Sequence, residues 1–312
     1  MLQTACTAAN DRVLKTCSRR SHHSQVGPAS CGRNPSECAG LIVAHHNFVQ
    51  GDISMGSRIK EVLGRDSIVR VFGMGQFCST KLVEVVALAG GYDAIWLDQE
   101  HSGLTVRDIE LATLACRAHG LDSFVRVAPT DYATVMQPME AGAGGVMAAQ
   151  IRTPAEAEQF VRWAKFFPRG LRGMTGAGVD GRFSVMPQEE YAAQANRDTF
   201  VAIQIETVEA VENVAAIAAV KDVDLLFVGP SDLAQALGLT GQFDHPRCYE
   251  TIERIANACR AAGKPWGIIG RNASYSARWV ERGCRFLVLG ADVILAQRGI
   301  AAIKQSFSEY FL

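Results

Sequence analysis

No apolar run in these 312 residues approaches the roughly 20 positions that a helix needs to span a bilayer, so no membrane partner is expected. The formal net charge is −1, which leaves no basic surplus for nucleic acid or an anionic membrane surface. Nine cysteines are present, but no CxxC pair or regular spacing offers a zinc site or a disulfide framework. Five of them (Cys78, Cys116, Cys248, Cys259 and Cys284) fall in helix-like or strand-like stretches, where a buried free thiol is the ordinary reading. A reducing cytoplasm is therefore the expected compartment. No GxGxxG follows the first strand-like run, which counts against an open, doubly wound dinucleotide fold. No lysine ends any strand-like run, which counts against Schiff-base chemistry.

Residues 1–54 are poor in another sense. They hold one aromatic residue, Phe48, and are rich in Ser, Thr, Asn, Cys and His without sustained periodicity. Such a segment has too little apolar surface to offset its ordering entropy, so a disordered or non-native extension is expected. It has no continuous apolar core of a secretory signal, and Arg12, Lys15, Arg19 and Arg20 give only a faint transit-peptide character. MGSRIKEVLG opens directly into a helical pattern, which makes Met55 an alternative start. His22, His23, His45 and His46 read as solvated residues of this segment rather than as metal ligands.

What the rest of the chain does have is alternation. Strand-like runs are expected near 68–73, 93–98, 123–127, 144–149, 200–205, 224–228, 265–269 and 285–289. Amphipathic stretches such as TVRDIELATLACRAHG and TPAEAEQFVRWAKF separate them, several closed by glycine. Eight βα units over residues 55–312 predict an α/β fold, a (β/α)8 TIM barrel, whose usual length is about 250 residues. The longest strand-free stretch, about 150–199, contains the Gly/Arg-rich PRGLRGMTGAGVDGRFS. It reads either as a lid whose Arg172 and Arg182 reach a distal acid group of the substrate or, more plainly, as a solvated, mobile loop.

In a barrel, chemistry gathers where strands end. Glu206 ends FVAIQIE and Asp232 follows the strand in VDLLFVGPSD, 26 positions later. Each has a plain alternative as a helix cap. Together, on neighbouring strands about 4.8 Å apart, two carboxylates suit one divalent cation, and hard oxygen donors favour Mg²⁺ or Mn²⁺ over zinc. The N–H groups of Ser231 and Asp232, at a helix start, suit a substrate carboxylate. His101 follows Asp98 closely enough for that carboxylate to orient it as a general base. Arg126, ending FVR, is expected either to meet an anionic substrate or developing oxyanion, or to pair with Glu206, Asp232 or Glu140.

The stretches GGYDAIWLDQEH, FVRVAP, GAGGVMAAQIRTPAEAEQFV, PRGLRG, QIETVEAVENVAAI, VDLLFVGPSDLAQALG and LVLGADV, in this order, resemble the HpcH/HpaI aldolase family, the metal-dependent class II pyruvate aldolases. The resemblance runs from about 57 to 300. It implies a phosphoenolpyruvate/pyruvate-type barrel that assembles as a homo-hexamer, a trimer of dimers exchanging the final helix. It implies reversible cleavage of a 4-hydroxy-2-oxo (2-keto-3-deoxy) acid to pyruvate and an aldehyde. A divalent metal, Mg²⁺, Mn²⁺ or Co²⁺, would be held by Glu206 and Asp232, with Gln204, Ser231 and Asp232 contacting the keto acid. His101 would be the base and Arg126 the enolate clamp.

Three positions depart from the family pattern. Glu140 in PMEAGAGG stands where an aspartate often raises the basicity of the catalytic histidine. VMAAQIRT lacks the common proline near Gln150 and carries Arg152, and GMGQFCS lacks the tryptophan seen in several members. Two rival readings are a citrate- or malyl-CoA-type lyase on the same barrel and a catalytically silent barrel acting as a binding subunit.

Overall fold

Eight parallel strands hydrogen-bond in chain order, and the last pairs with the first to close a barrel, in a computed structural model that describes residues 57–311. The extension expected over residues 1–54 lies outside the described residues. The strands are β1 (Val69–Met74), β2 (Ala94–Asp98), β3 (Asp122–Val127), β4 (Gly145–Ala148), β5 (Phe200–Ile205), β6 (Leu225–Val228), β7 (Trp266–Ile269) and β8 (Phe286–Ala291). Their positions match the expected runs to within two residues at either end. The α/β, (β/α)8 expectation is what the chain forms.

Period-two alternation divides each strand between two cores. Val69, Val71, Trp96, Phe124, Phe200 and Phe227 belong to the cluster that fills the barrel, whereas Phe72, Ile95, Leu97, Val125, Val201 and Ile203 pack outward against the helices. The filling is largely aromatic. Phe286 lies 5.7 Å from Phe124, 6.0 Å from Phe200 and 6.0 Å from Phe227, and Trp96 meets Phe227 edge-on at 5.4 Å. Rings in these geometries pack well and exclude water, so the barrel is a plugged cylinder with chemistry confined to its mouth.

The opposite end is closed by the first helix, α1 (Ser57–Gly64). Ile59 is fully buried with the interior cluster, and its N–H donates to Asp122 Oδ2 at 2.8 Å. Asp93, also buried, binds Arg70 through 2.9 and 3.1 Å contacts and Arg58 at 3.3 Å. This sealing role for α1 has no signature in the sequence beyond its amphipathic pattern.

Outside the strands lie α2 (Thr80–Ala89), α3 (Val106–Ala118), α4 (Tyr132–Glu140) and α5 (Pro154–Ala164). The second half adds α6 (Gln188–Asp198), α7 (Val208–Glu212), α8 (Val214–Ala218), α9 (Pro230–Ala236), α10 (Pro246–Ala261), α11 (Ala273–Glu281) and α12 (Asp292–Ser306). Thr105 with Asp108 and Thr153 with Glu156 form capping boxes that fix where α3 and α5 begin.

The Gly/Arg-rich stretch differs from expectation. Arg172 is buried, pairs with Asp180 at 2.5 Å and lies 4.7 Å over the Phe166 ring, and Tyr191 donates to the same aspartate. A guanidinium held this way pins the segment rather than reaching for substrate. Arg182 is exposed.

Candidate active site

The inward-facing positions of the strands run past the aromatic plug into polar residues. On β2 the inner face reads Ala94, Trp96, Asp98; on β3 it ends in Arg126; on β5 it reads Phe200, Ala202, Gln204 and, one step past the strand, Glu206. Period two therefore delivers Asp98, Arg126, Gln204 and Glu206 to one layer above the plug. The layer opens into a cavity of about 1090 Å³, walled by Asp98, His101, Arg126, Gln204, Ser231 and Asp232 among others.

Arg126 is the most constrained of these. Strand register places it directly beside Asp98, and its Nε and Nη2 donate to the two Asp98 oxygens at 3.0 and 2.7 Å. Its Nη1 lies 3.1 Å from Glu100 Oε2, and the guanidinium sits 4.7 Å over the Trp96 ring. Asp98 Oδ1 also accepts from the backbone N–H groups of Glu100 (3.1 Å) and His101 (3.4 Å). In place of the expected Asp98–His101 side-chain pair, the aspartate binds Arg126 and the backbone N–H groups of the turn. Glu100 is the carboxylate that faces the imidazole, with Oε2 3.7 Å from His101 Nε2. Arg126 likewise pairs with Asp98 and Glu100, not with the three acids named for it from sequence.

Glu206 is almost wholly buried. Its Oε1 accepts from the Gln150 N–H at 2.7 Å and from Gln150 Nε2 at 3.1 Å, while Gln204 Nε2 donates to Oε2. Burial pushes its carboxyl above the usual range, the Gln204 and Gln150 bonds pull it back, and the charge of Asp232 pushes it up again. Asp232 and Ser231 lie in the first turn of α9, where N–H groups have no partner inside the helix.

Among the described residues no group of three or more His, Cys, Asp or Glu side chains forms a metal cluster. Gln204, bonded to Glu206 through Nε2, adds an amide oxygen next to that carboxylate. Gln204 Oε1 is buried without a hydrogen-bond partner, and such an atom is costly unless something binds it. Gly229 keeps room there, since a Cβ on it would lie 2.7 Å from Glu206 Oε2 and 2.9 Å from Gln204 Nε2. Two carboxylates and an amide oxygen beside an open cavity fit a hard divalent cation.

Residues 77–298 match the pattern of the family described as HpcH/HpaI aldolase/citrate lyase. The chain belongs to the HpcH/HpaI family. It is 32% identical over 226 residues to 5-keto-4-deoxy-D-glucarate aldolase of Escherichia coli O157:H7, an alignment spanning 72% of this chain and 87% of that one. Among solved structures it resembles an HpcH/HpaI aldolase from Desulfitobacterium hafniense, with a TM-score of 0.74 and 31% identity over 80% of this chain and 97% of that one. A family member from Burkholderia cenocepacia superimposes with a TM-score of 0.72 at 32% identity, over 79% and 96% of the two chains.

One position implied by the family pattern is not brought to the others. Glu140 ends α4 and is not among the residues that line the cavity with Asp98, His101 and Arg126. Its half-buried carboxyl is pushed up by burial; Arg172 pulls it down and Asp180 pushes it up again. Two residues of this HpcH/HpaI site escape a reading of the sequence. Gln150 grips Glu206 from a left-handed backbone conformation, φ +57°, that nothing in VMAAQIRT announces. Glu100 adjoins His101 in LDQEH, and that adjacency was the available signal.

Proposed function

We propose that this HpcH/HpaI protein is a divalent-metal-dependent lyase that reversibly cleaves a 4-hydroxy-2-oxo acid to pyruvate and an aldehyde. The observation that carries the reading is the grouping, in one buried layer, of Glu206 and the unpartnered Gln204 oxygen with the Arg126 guanidinium, beside His101. The substrate named for the Escherichia coli relative belongs to that class: counted from its keto end, 5-keto-4-deoxy-D-glucarate is a 2-oxo-3-deoxy-4-hydroxy acid.

Glu206 and Asp232 would hold the cation, Mg²⁺ or Mn²⁺ by donor type with Co²⁺ as a further option, and Gln204 would lie against the cation or the keto acid bound to it. When bound it supplies Lewis acidity toward the 2-oxo acid. The N–H groups of Ser231 and Asp232 receive the substrate carboxylate. His101 accepts the proton of the C4 hydroxyl, the C3–C4 bond breaks, and its electron pair passes into an enolate whose oxygen lies against Arg126. The aldehyde leaves, and the proton returns to C3 to give pyruvate. Release of pyruvate from a panel of 4-hydroxy-2-oxo acids, with Mg²⁺, with Mn²⁺ and with EDTA, tests this directly. Metal-dependent release is expected, and no release together with no exchange of pyruvate methyl protons refutes it. Cleavage of acyl-CoA esters in place of the free acids would instead favour the citrate- or malyl-CoA-type lyase. Five free cysteines in the described residues suit the cytoplasm, and no described helix is long and apolar enough to cross a membrane.

The final helix supports an assembled enzyme. α12 leaves Ile294, Leu295, Ile300 and Ile303 exposed, followed by Phe307, while Val85 and Leu88 are uncovered on α2. Apolar surface of this extent asks for a partner, and a second copy that exchanges α12 would cover both faces, building toward a hexamer. Light scattering is expected to give the hexamer mass, with Ile303→Glu shifting the protein to smaller species. A monomeric wild type would end this reading.

A further inference from the structure

The carboxylate of Glu100 has no role in the chemistry above, yet its surroundings are unusual. Its side chain is 11% exposed, and Oε2 is buried with no hydrogen-bond partner although Arg126 Nη1 lies 3.1 Å away. The cationic or potentially cationic groups facing it are Arg126 and His101, and the anions are Glu206 and Asp98. Asp98 and Glu100 both contact the one guanidinium, and of the two Glu100 also faces the imidazole. Asp98 is turned to Arg126 and the backbone instead: Oδ1 accepts from Arg126 Nε and from the Glu100 and His101 N–H groups, and Oδ2 from Arg126 Nη2. Glu100 still has acceptor capacity, and the distance from Oε2 to His101 Nε2, 3.7 Å, is one a small side-chain rotation closes.

We propose that Glu100 is a positioning residue that acts on two groups at once, holding the Nη1 side of Arg126 and receiving His101 as the imidazole becomes charged. The assignment rests on the aldolase reading, in which His101 takes a proton while charge builds beside Arg126. With Nε2 turned to Glu100, Nδ1 is the ring nitrogen left for the substrate proton. A carboxylate behind the base stabilises the imidazolium when it forms and contributes little to ground-state binding. Its loss should therefore appear in kcat and spare KM.

The test compares Glu100→Gln and Glu100→Asp with wild type, loaded with Mg²⁺ or Mn²⁺. The readouts are pyruvate release, exchange of pyruvate methyl protons, calorimetric pyruvate binding and thermal midpoint. Glu100→Gln is expected to lower kcat and the exchange rate together by about 10–100-fold, the range for residues that orient a functional group. KM and pyruvate affinity should stay within about threefold. Glu100→Asp, which keeps the charge, is expected to recover part of the loss. Unchanged kcat in Glu100→Gln overturns the assignment. So does a loss shared equally by KM, affinity and thermal midpoint, which would make Glu100 a structural residue. If wild type itself neither cleaves nor exchanges, the aldolase reading fails and the assignment falls with it; an active wild type with an equally active Glu100→Gln overturns the Glu100 assignment alone.

Discussion

Glu206→Gln is expected to abolish metal-dependent cleavage with the barrel intact. The substitution keeps volume and hydrogen-bonding reach but removes one of the two carboxylates available to a cation. Polarisation of a substrate oxygen by such a cation is worth several kcal/mol, so pyruvate release should fall by about a thousandfold, and EDTA should bring wild type to the same level. Stability should move the other way. Glu206 is almost wholly buried and its carboxyl is pushed above the usual range, so without a cation its ionised form is a burden on the fold. A neutral glutamine removes that burden. Calorimetry should therefore find the metal-free variant as stable as metal-free wild type or more so. Added Mg²⁺ should raise the wild-type midpoint and leave that of the variant unmoved. A variant that keeps turnover, or still responds to Mg²⁺, would remove Glu206 from the metal site.

Much of this was legible in the chain, and the parts that were not have physical reasons. Strand positions follow from period-two runs bounded by glycine and polar turns, and that signal is local. The same periodicity carries Gln204 and Glu206 to the inner face once Phe200 and Ala202 are known to point inward. Pairing is not local. Asp98 lies three positions from His101 in sequence, but barrel register sets it beside Arg126, 28 positions away, and the bidentate contact takes it. Arg172 reads as a solvated loop residue because glycines surround it; its burial depends on Phe166 and Tyr191, which fold onto it from either side of the loop. Glu140 sits in a stretch similar to the family's, yet within one chain it occupies the far end of α4.

Arg126→Lys and Arg126→Ala are expected to separate charge from geometry at the clamp. A lysine restores one positive charge but cannot serve the two Asp98 oxygens and Glu100 together or stack over Trp96 as the planar guanidinium does. Its kcat should fall by about 10²–10³, the cost of losing one oriented donor at a developing oxyanion, with a modest drop in thermal midpoint. Alanine leaves Asp98 and Glu100, whose side chains are 21% and 11% exposed, without their shared cation. Removing one partner of a buried pair costs roughly 3–5 kcal/mol, and partial exposure of Asp98 places this case toward the lower end. The double variant Arg126→Ala/Glu100→Gln then makes the decisive comparison. Neutralising the stranded glutamate should return part of the lost stability while activity stays at the level of Arg126→Ala, because the enolate still lacks its clamp. Additive losses of stability in the double variant would show that Arg126 and Glu100 do not interact, and the charge cluster described at the barrel mouth would have to be redrawn.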